Sequence, residues 1–166
     1  MNIDNYYSPE GVLTDYTPDQ STAKAYCQGS PMVWSDVSMA WVDGRSLAQI
    51  KDAMAAAIKA RRDARLDGGT KVGEKWFHSD SPSRIQQLGL VIMGANIPAG
   101  LMWKTMDKSF VSMTQTLAMQ VFAAVAASDS ALYTKAEQIK SAMLSSASPA
   151  SFDYTTGWPL VYGEIA

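Results

Sequence analysis

Residue types able to do chemistry are few in this chain. His78 is the single histidine and Cys27 the single cysteine, so an internal disulfide is excluded and no Cys/His spacing suits zinc. No serine or cysteine stands in a nucleophile-elbow motif, which leaves His78 without the partners of a triad. Gly68-Gly69 precedes a hairpin where a phosphate loop would precede a helix, and no GxxxxGK[ST] pattern occurs. Asp67, Glu74, Asp80 and Asp107 read as turn and cap residues, because a hydrolytic carboxylate pair is defined by a separation in space that spacing in sequence does not supply. Asp80 and Arg84 stand at i, i+4 and suit a helix-surface ion pair. These residues assign no catalytic group, no metal ligand and no cofactor.

Three other groups suit contact with protein. Tyr6, Tyr7 and Tyr16 lie in an N-terminal stretch too aromatic for a plain flexible linker. Trp158, Leu160 and Tyr162 alternate along a short run that Pro159 keeps extended. One face of that run could lie in a groove or along a sheet edge of a partner, and Tyr and Trp are common interface anchors. Folding back onto the chain's own domain is the alternative, with insertion into a partner favoured. Arg61, Arg62 and Arg65 cluster with Lys59 at a helix end, where they complement the helix dipole and offer an anionic partner a second surface.

The elements that must position these groups follow from periodicity and caps. Ser46-Leu47-Ala48-Gln49 has the form of a capping box. It opens a helix with Leu47, Ile50, Met54, Ile58 and Leu66 on its apolar face, ending at Gly68-Gly69. A hairpin follows, turning at Gly73 with Val72 placed to pair with Trp76 or Phe77. Ser81-Pro82 starts a second helix, whose buried stripe is expected to be Ile85, Leu88 and Ile92 and which Gly94, Asn96 and Pro98 end. A second hairpin turns at Asp107-Lys108 and carries Trp103 with Phe110 or Val111, aromatics that are expected in the core. Thr114 caps a third helix with Leu117, Val121, Val125, Leu132, Ile139 and Met143 inside. One long helix is favoured over a break near Ser128-Asp129-Ser130. Upstream, the alternation of Met32, Trp34, Val37, Met39 and Trp41 suggests one more hairpin before Asp43-Gly44. The fold class is α+β: a small helical domain in the order helix, hairpin, helix, hairpin, long helix. Residues 1–45 form an N-terminal arm, 46–147 the domain, and 148–166 an extended interaction tail.

Three runs carry a resemblance. They are the basic helix end Lys59 to Gly69, the segment Trp76-Phe77-His78-Ser79-Asp80-Ser81-Pro82-Ser83-Arg84-Ile85, and the hairpin Met102-Trp103-Lys104-Thr105-Met106-Asp107-Lys108-Ser109-Phe110-Val111. In this order, before a long alanine-rich helix, the chain resembles a domain of unknown function that recurs in tailed-bacteriophage tail proteins. The likeness covers roughly residues 48–146. It implies a virion structural protein of the tail, baseplate or fibre-attachment complex, with other tail proteins as partners in a homo- or hetero-oligomer. A tail-fibre assembly chaperone is the alternative, and an envelope-acting hydrolase a lesser one. The implied location is the virion tail, with passage through the host cytoplasm during assembly.

Length and composition set the outer bounds. At 166 residues, with 47% hydrophobic and 18% charged, the chain has enough apolar material for one compact core. A net charge of −2 provides no basic field for phosphates, so nucleic acid is not an expected partner. No apolar run approaches the ~18 residues of a membrane span and the N-terminus lacks the pattern of a signal peptide, so neither membrane insertion nor export by that route is expected.

Overall fold

The structure, a computed structural model, describes residues 6–7, 13–14, 32–35, 37 and 40–164. The chain divides into two compact units, Met1–Ile50 and Lys51–Ala166. In the first, β1 (Tyr6–Tyr7) pairs antiparallel with β2 (Leu13–Thr14), and β3 (Met32–Ser35) with β4 (Ala40–Asp43) in a register that sets Trp34 opposite Trp41. The hairpin expected from the Met32 to Trp41 alternation is therefore present. After β4, Arg45 turns back on Asp43, its Nε donating at 2.9 Å, and the guanidinium holds the Asp43 carboxyl down to about 2. Ser46 and Gln49 form the expected capping box. The Ser46 amide donates to Gln49 Oε1 at 2.8 Å and the Gln49 amide to Ser46 Oγ at 3.2 Å.

The remaining elements are α1 (Leu47–Leu66), β5 (Thr70–Val72), β6 (Lys75–Phe77), α2 (Ser81–Met93), β7 (Met102–Lys104), β8 (Phe110–Ser112) and α3 (Gln115–Ser145). Short 3-10 turns at Gly94–Asn96 and Pro149–Ser151 follow α2 and α3. The α+β order of helix, hairpin, helix, hairpin and long helix is as expected. With 31 residues α3 is unbroken and about 46 Å long at 1.5 Å per residue. Thr114 caps it by accepting from the Leu117 amide at 3.1 Å.

This helix is the spine of the second unit, because its two halves complete two separate cores. Ala118 and Val121 pack with Phe77, Leu90 and Met113, with Trp103 and Val111 alongside. Leu132, Ala136, Ile139 and Met143 pack with Ile58 of α1 and with Trp158. The hairpins are fastened to each other as well as to the helices. Lys75 Nζ donates to Asp107 Oδ2 at 2.7 Å, and the Met106 amide to the Trp76 carbonyl at 2.9 Å. Gly69 makes this close approach possible. It holds φ +89°, and a Cβ there would lie 2.2 Å from Met106 Sδ.

Five local expectations are corrected. In the first hairpin Val72 faces Lys75, while Phe77 faces Thr70, because Gly73-Glu74 makes a two-residue turn at the tip. The cap of α2 is Asp80, one residue before Ser81, and it accepts from the Ser83 amide at 3.0 Å. Asp80 is thereby engaged, and Arg84 pairs instead with Asp129 of α3, its Nη2 donating to Oδ1 at 2.9 Å. Phe110 faces Lys104 across the second hairpin and is 59% exposed, since the strand alternation that packs Trp103 and Val111 inward turns it outward. Leu47, in the first turn of α1, is exposed rather than part of its packed face.

The largest corrections concern α2 and the tail. On α2 the packed residues are Gln87 and Leu90, with Val91 beside them, and the expected stripe Ile85, Leu88 and Ile92 points away from the core. Gln87 enters the core with its Nε2 donating to the His78 carbonyl at 2.7 Å, while its Oε1 is buried without a partner among the described residues. The tail does not extend as an arm: Trp158 is 8% exposed and its indole Nε1 donates to the Tyr154 carbonyl at 2.8 Å.

Candidate functional site

The groups expected to meet a partner fall into different surroundings. Tyr16 lies outside the described residues, and for Tyr6 and Tyr7 only the strand they form is described. Trp158 is core, so its expected place in a partner's groove is withdrawn: burying the indole against Ile58, Leu132 and Met143 removes the same apolar area from water within one chain. Leu160 and Tyr162 stay partly exposed, with Tyr162 edge-on to Trp76 at 6.2 Å between ring centroids.

The arginine cluster is engaged by this same tail. Arg61 Nη2 donates to the Thr155 carbonyl at 2.8 Å, and Arg65 donates to the Pro159 carbonyl at 2.7 Å and to Glu164 at 3.0 Å. That guanidinium holds the Glu164 carboxyl below its ordinary range. Arg62 is held by Asp63 and lies over the Tyr133 ring, 4.3 Å from its centroid. Carbonyls and carboxylates of the chain itself thus engage all three guanidinium groups, Arg61 Nε and Arg65 Nε are buried without a partner among the described residues, and this helix end is not the freely exposed cationic surface expected.

Polar groups near His78 make the cap of α2. Ser83 Oγ donates to Asp80 Oδ2 at 2.9 Å, while His78 Nδ1 stands 3.9 Å from that same oxygen. The serine hydroxyl is thus engaged by the carboxylate of the helix cap. Asp80 lies below its ordinary value chiefly because it accepts from the Ser83 amide. Around Asp107, the Lys75 ammonium first, then the Thr105 and Ser109 hydroxyls, hold the carboxylate strongly ionised. Such an arrangement stabilises a charged turn. Among the described residues no group of three or more His, Cys, Asp or Glu is arranged to hold a metal ion, and no helix is long and apolar enough to cross a membrane.

What the fold does assemble is an apolar face. At 100° per residue, Leu88, Ile92, Ile85, Gly89 and Met93 succeed one another around the outer side of α2. Ile85 is 72% and Ile92 77% exposed. Beyond Met93 the surface drops into a groove of about 630 Å³ between α2 and the second hairpin, lined by Gly89, Leu90, Met102, Trp103 and Phe110, with His78, Ser83 and Lys104 also on its wall. Met102 and Phe110 project from the hairpin side, so the exposed apolar residues of two elements meet at one groove. Gly89 opens it: nothing lies within 4 Å of where its Cβ would be.

Residues 49–156 match the family model described as Domain of unknown function (DUF4376). The chain belongs to this family. The DUF4376 stretch contains α1 from its third residue, α2, α3, the β5–β6 and β7–β8 hairpins and the whole apolar face, and it stops just before Trp158. No curated protein and no solved structure matches the chain.

Sequence did hold a signal for the face. Nine residues from Ile85 to Met93 carry no charge and place apolar side chains on more than one side of the helix, more than a single packed face uses.

Proposed function

We propose that the chain is a structural protein of a bacteriophage tail, in the tail, baseplate or fibre-attachment complex, and that it works by protein–protein contact without a cofactor. The observation that carries the contact is the apolar face of α2 and the β7–β8 hairpin. Three large aliphatics in water on one helix face, continuous with an apolar groove, exceed the scattered surface residues that need no explanation. The tail assignment rests on the resemblance in the three runs from Lys59 to Val111, of which the second reaches into α2 and the third is the β7–β8 hairpin. The rival reading, a tail-fibre assembly chaperone, would use the same surface for a time and then leave.

Mass spectrometry of purified particles tests the proposal, with an Ile85→Glu/Ile92→Glu variant run in parallel. The expected result is that the chain is present in fixed copy number and that the variant is lost from particles while remaining folded. A chain found bound to tail-fibre protein in infected cells and missing from particles would replace this reading by the chaperone. Incorporation of the variant at full occupancy would move the contact to another surface.

A further inference from the structure

The occupant of the α2 face can be narrowed, on the reading that the chain works by protein contact. We infer that it is a second copy of this chain, docked α2 against α2 about a two-fold axis. The spacing of the exposed residues is the first argument. Ile85, Leu88 and Ile92 stand at steps of three and four, the a, d, a positions of a heptad, with isoleucine at both a positions and leucine at d. That combination favours two-stranded packing of a helix on its like. The stripe is short, but α2 is already folded and capped by its own domain, so docking carries no cost of helix nucleation.

Charge is the second argument. A two-fold interface sets each residue beside a copy of itself or of a near neighbour, so any unpaired charge on it faces a like charge. The seam has none. Arg84, the single charged side chain of α2, flanks Leu88 at the edge of this face and is neutralised by Asp129. Gly89 is the third. It sits beside the seam with open space above it and serves no turn, although glycine inside a helix is unfavourable. A missing side chain at that point lets a second helix approach closely. Area is the fourth. Ile85, Leu88, Ile92, Met93, Met102 and Phe110 together expose on the order of 600 Å² per copy, most of the ~800 Å² that each partner contributes to a standard interface.

The test is sedimentation of the full chain over a range of concentrations. Reversible dimerisation is expected, with Kd on the order of 1–100 µM. Ile85→Glu and Ile92→Glu should each weaken it at least about tenfold with unchanged circular dichroism, because both side chains are exposed in the single copy. Leu88 is the middle of the seam and meets its counterpart whether the helices run parallel or antiparallel. Leu88→Cys in a Cys27→Ser background should therefore form a cross-linked dimer under oxidation. A chain that stays monomeric at about 100 µM overturns the inference, as does a dimer indifferent to both glutamates and not linked through position 88. Monomeric protein whose glutamate variants nonetheless fail to enter particles would sink self-docking and leave the structural role standing. A dimer absent from particles would do the reverse.

Discussion

Replacing Trp158 by alanine should destabilise the second unit by about 4 kcal/mol. The side chain is all but removed from water between α1 and α3, touching the cluster of Ile58, Leu132, Ala136, Ile139 and Met143. A buried tryptophan covers about 150–250 Å², which at about 25 cal/mol per Å² gives roughly 4–6 kcal/mol. Truncations of large buried aromatics cost about 3–5 kcal/mol once partial relaxation is included. The hydrogen bond to the Tyr154 carbonyl adds about 1 kcal/mol, part of which water restores at this edge of the core. For a unit of this size each kcal/mol moves the midpoint by about 3–5 °C, so the main thermal transition should fall by about 12–20 °C. Trp158→Phe keeps most of the volume and loses only the indole N–H donor, and about 1–2 kcal/mol is expected. Melting followed by far-ultraviolet circular dichroism, with urea titration as a second measure, reads both. A Trp158→Ala chain melting within about 2 °C of the parent would refute the argument and return the indole to a partner's groove.

Gly89→Ala should stabilise the single copy by about 0.5–1 kcal/mol, since helix propensity improves and the new methyl meets nothing; a lower melting temperature in dilute solution would contradict this. Arg84→Ala should cost about 2–3 kcal/mol by urea titration, because it strands Asp129, removes the guanidinium donor from the Ser79 carbonyl and leaves the Leu66 carbonyl with the Ser79 hydroxyl alone. Asp80, Asp107 and Glu164 all have carboxyls lowered by donors present only in the fold, so their contribution is complete above the ordinary carboxylate range near pH 4 and is lost as pH falls through the lower folded values. The midpoint should therefore decline on acidification below about pH 4, and less steeply in Asp107→Asn; a midpoint that rises from pH 5 to pH 3 would reverse the sign of this linkage.

The parts of the fold legible in the sequence are those decided locally. The Ser46–Gln49 box, the Thr114 cap, the Gly73 turn and the continuity of α3 each depend on residues within one or two turns of one another. What misled was the choice among faces. Ile85, Leu88 and Ile92 form as good a stripe as Leu90 and Val91, and tertiary partners remote in sequence, the His78 carbonyl for Gln87 and Asp129 for Arg84, accompany the side that turns inward. The tail misled for a related reason. Aromatic composition marks a segment that will leave water, yet it is silent on whether the groove belongs to the same chain. Local consistency failed on α2, at the face assigned here to a partner, and such conflicts are expected where a surface serves binding.

The closure of the tail over α1 also sets an order of events during synthesis. Arg65 and Glu164 are 99 residues apart in sequence, and the core that holds Ile58 lacks its largest member until Trp158 has emerged. Contacts of such separation are slow to form, and the half-built core exposes Ile58, Leu132 and Met143 meanwhile. Phe77, Leu90, Met113 and Val121, by contrast, lie within a stretch of about 45 residues and can collapse early. The nascent chain should therefore pass through a state folded around Phe77 and open around Ile58, the stage at which it is most exposed to proteolysis and aggregation.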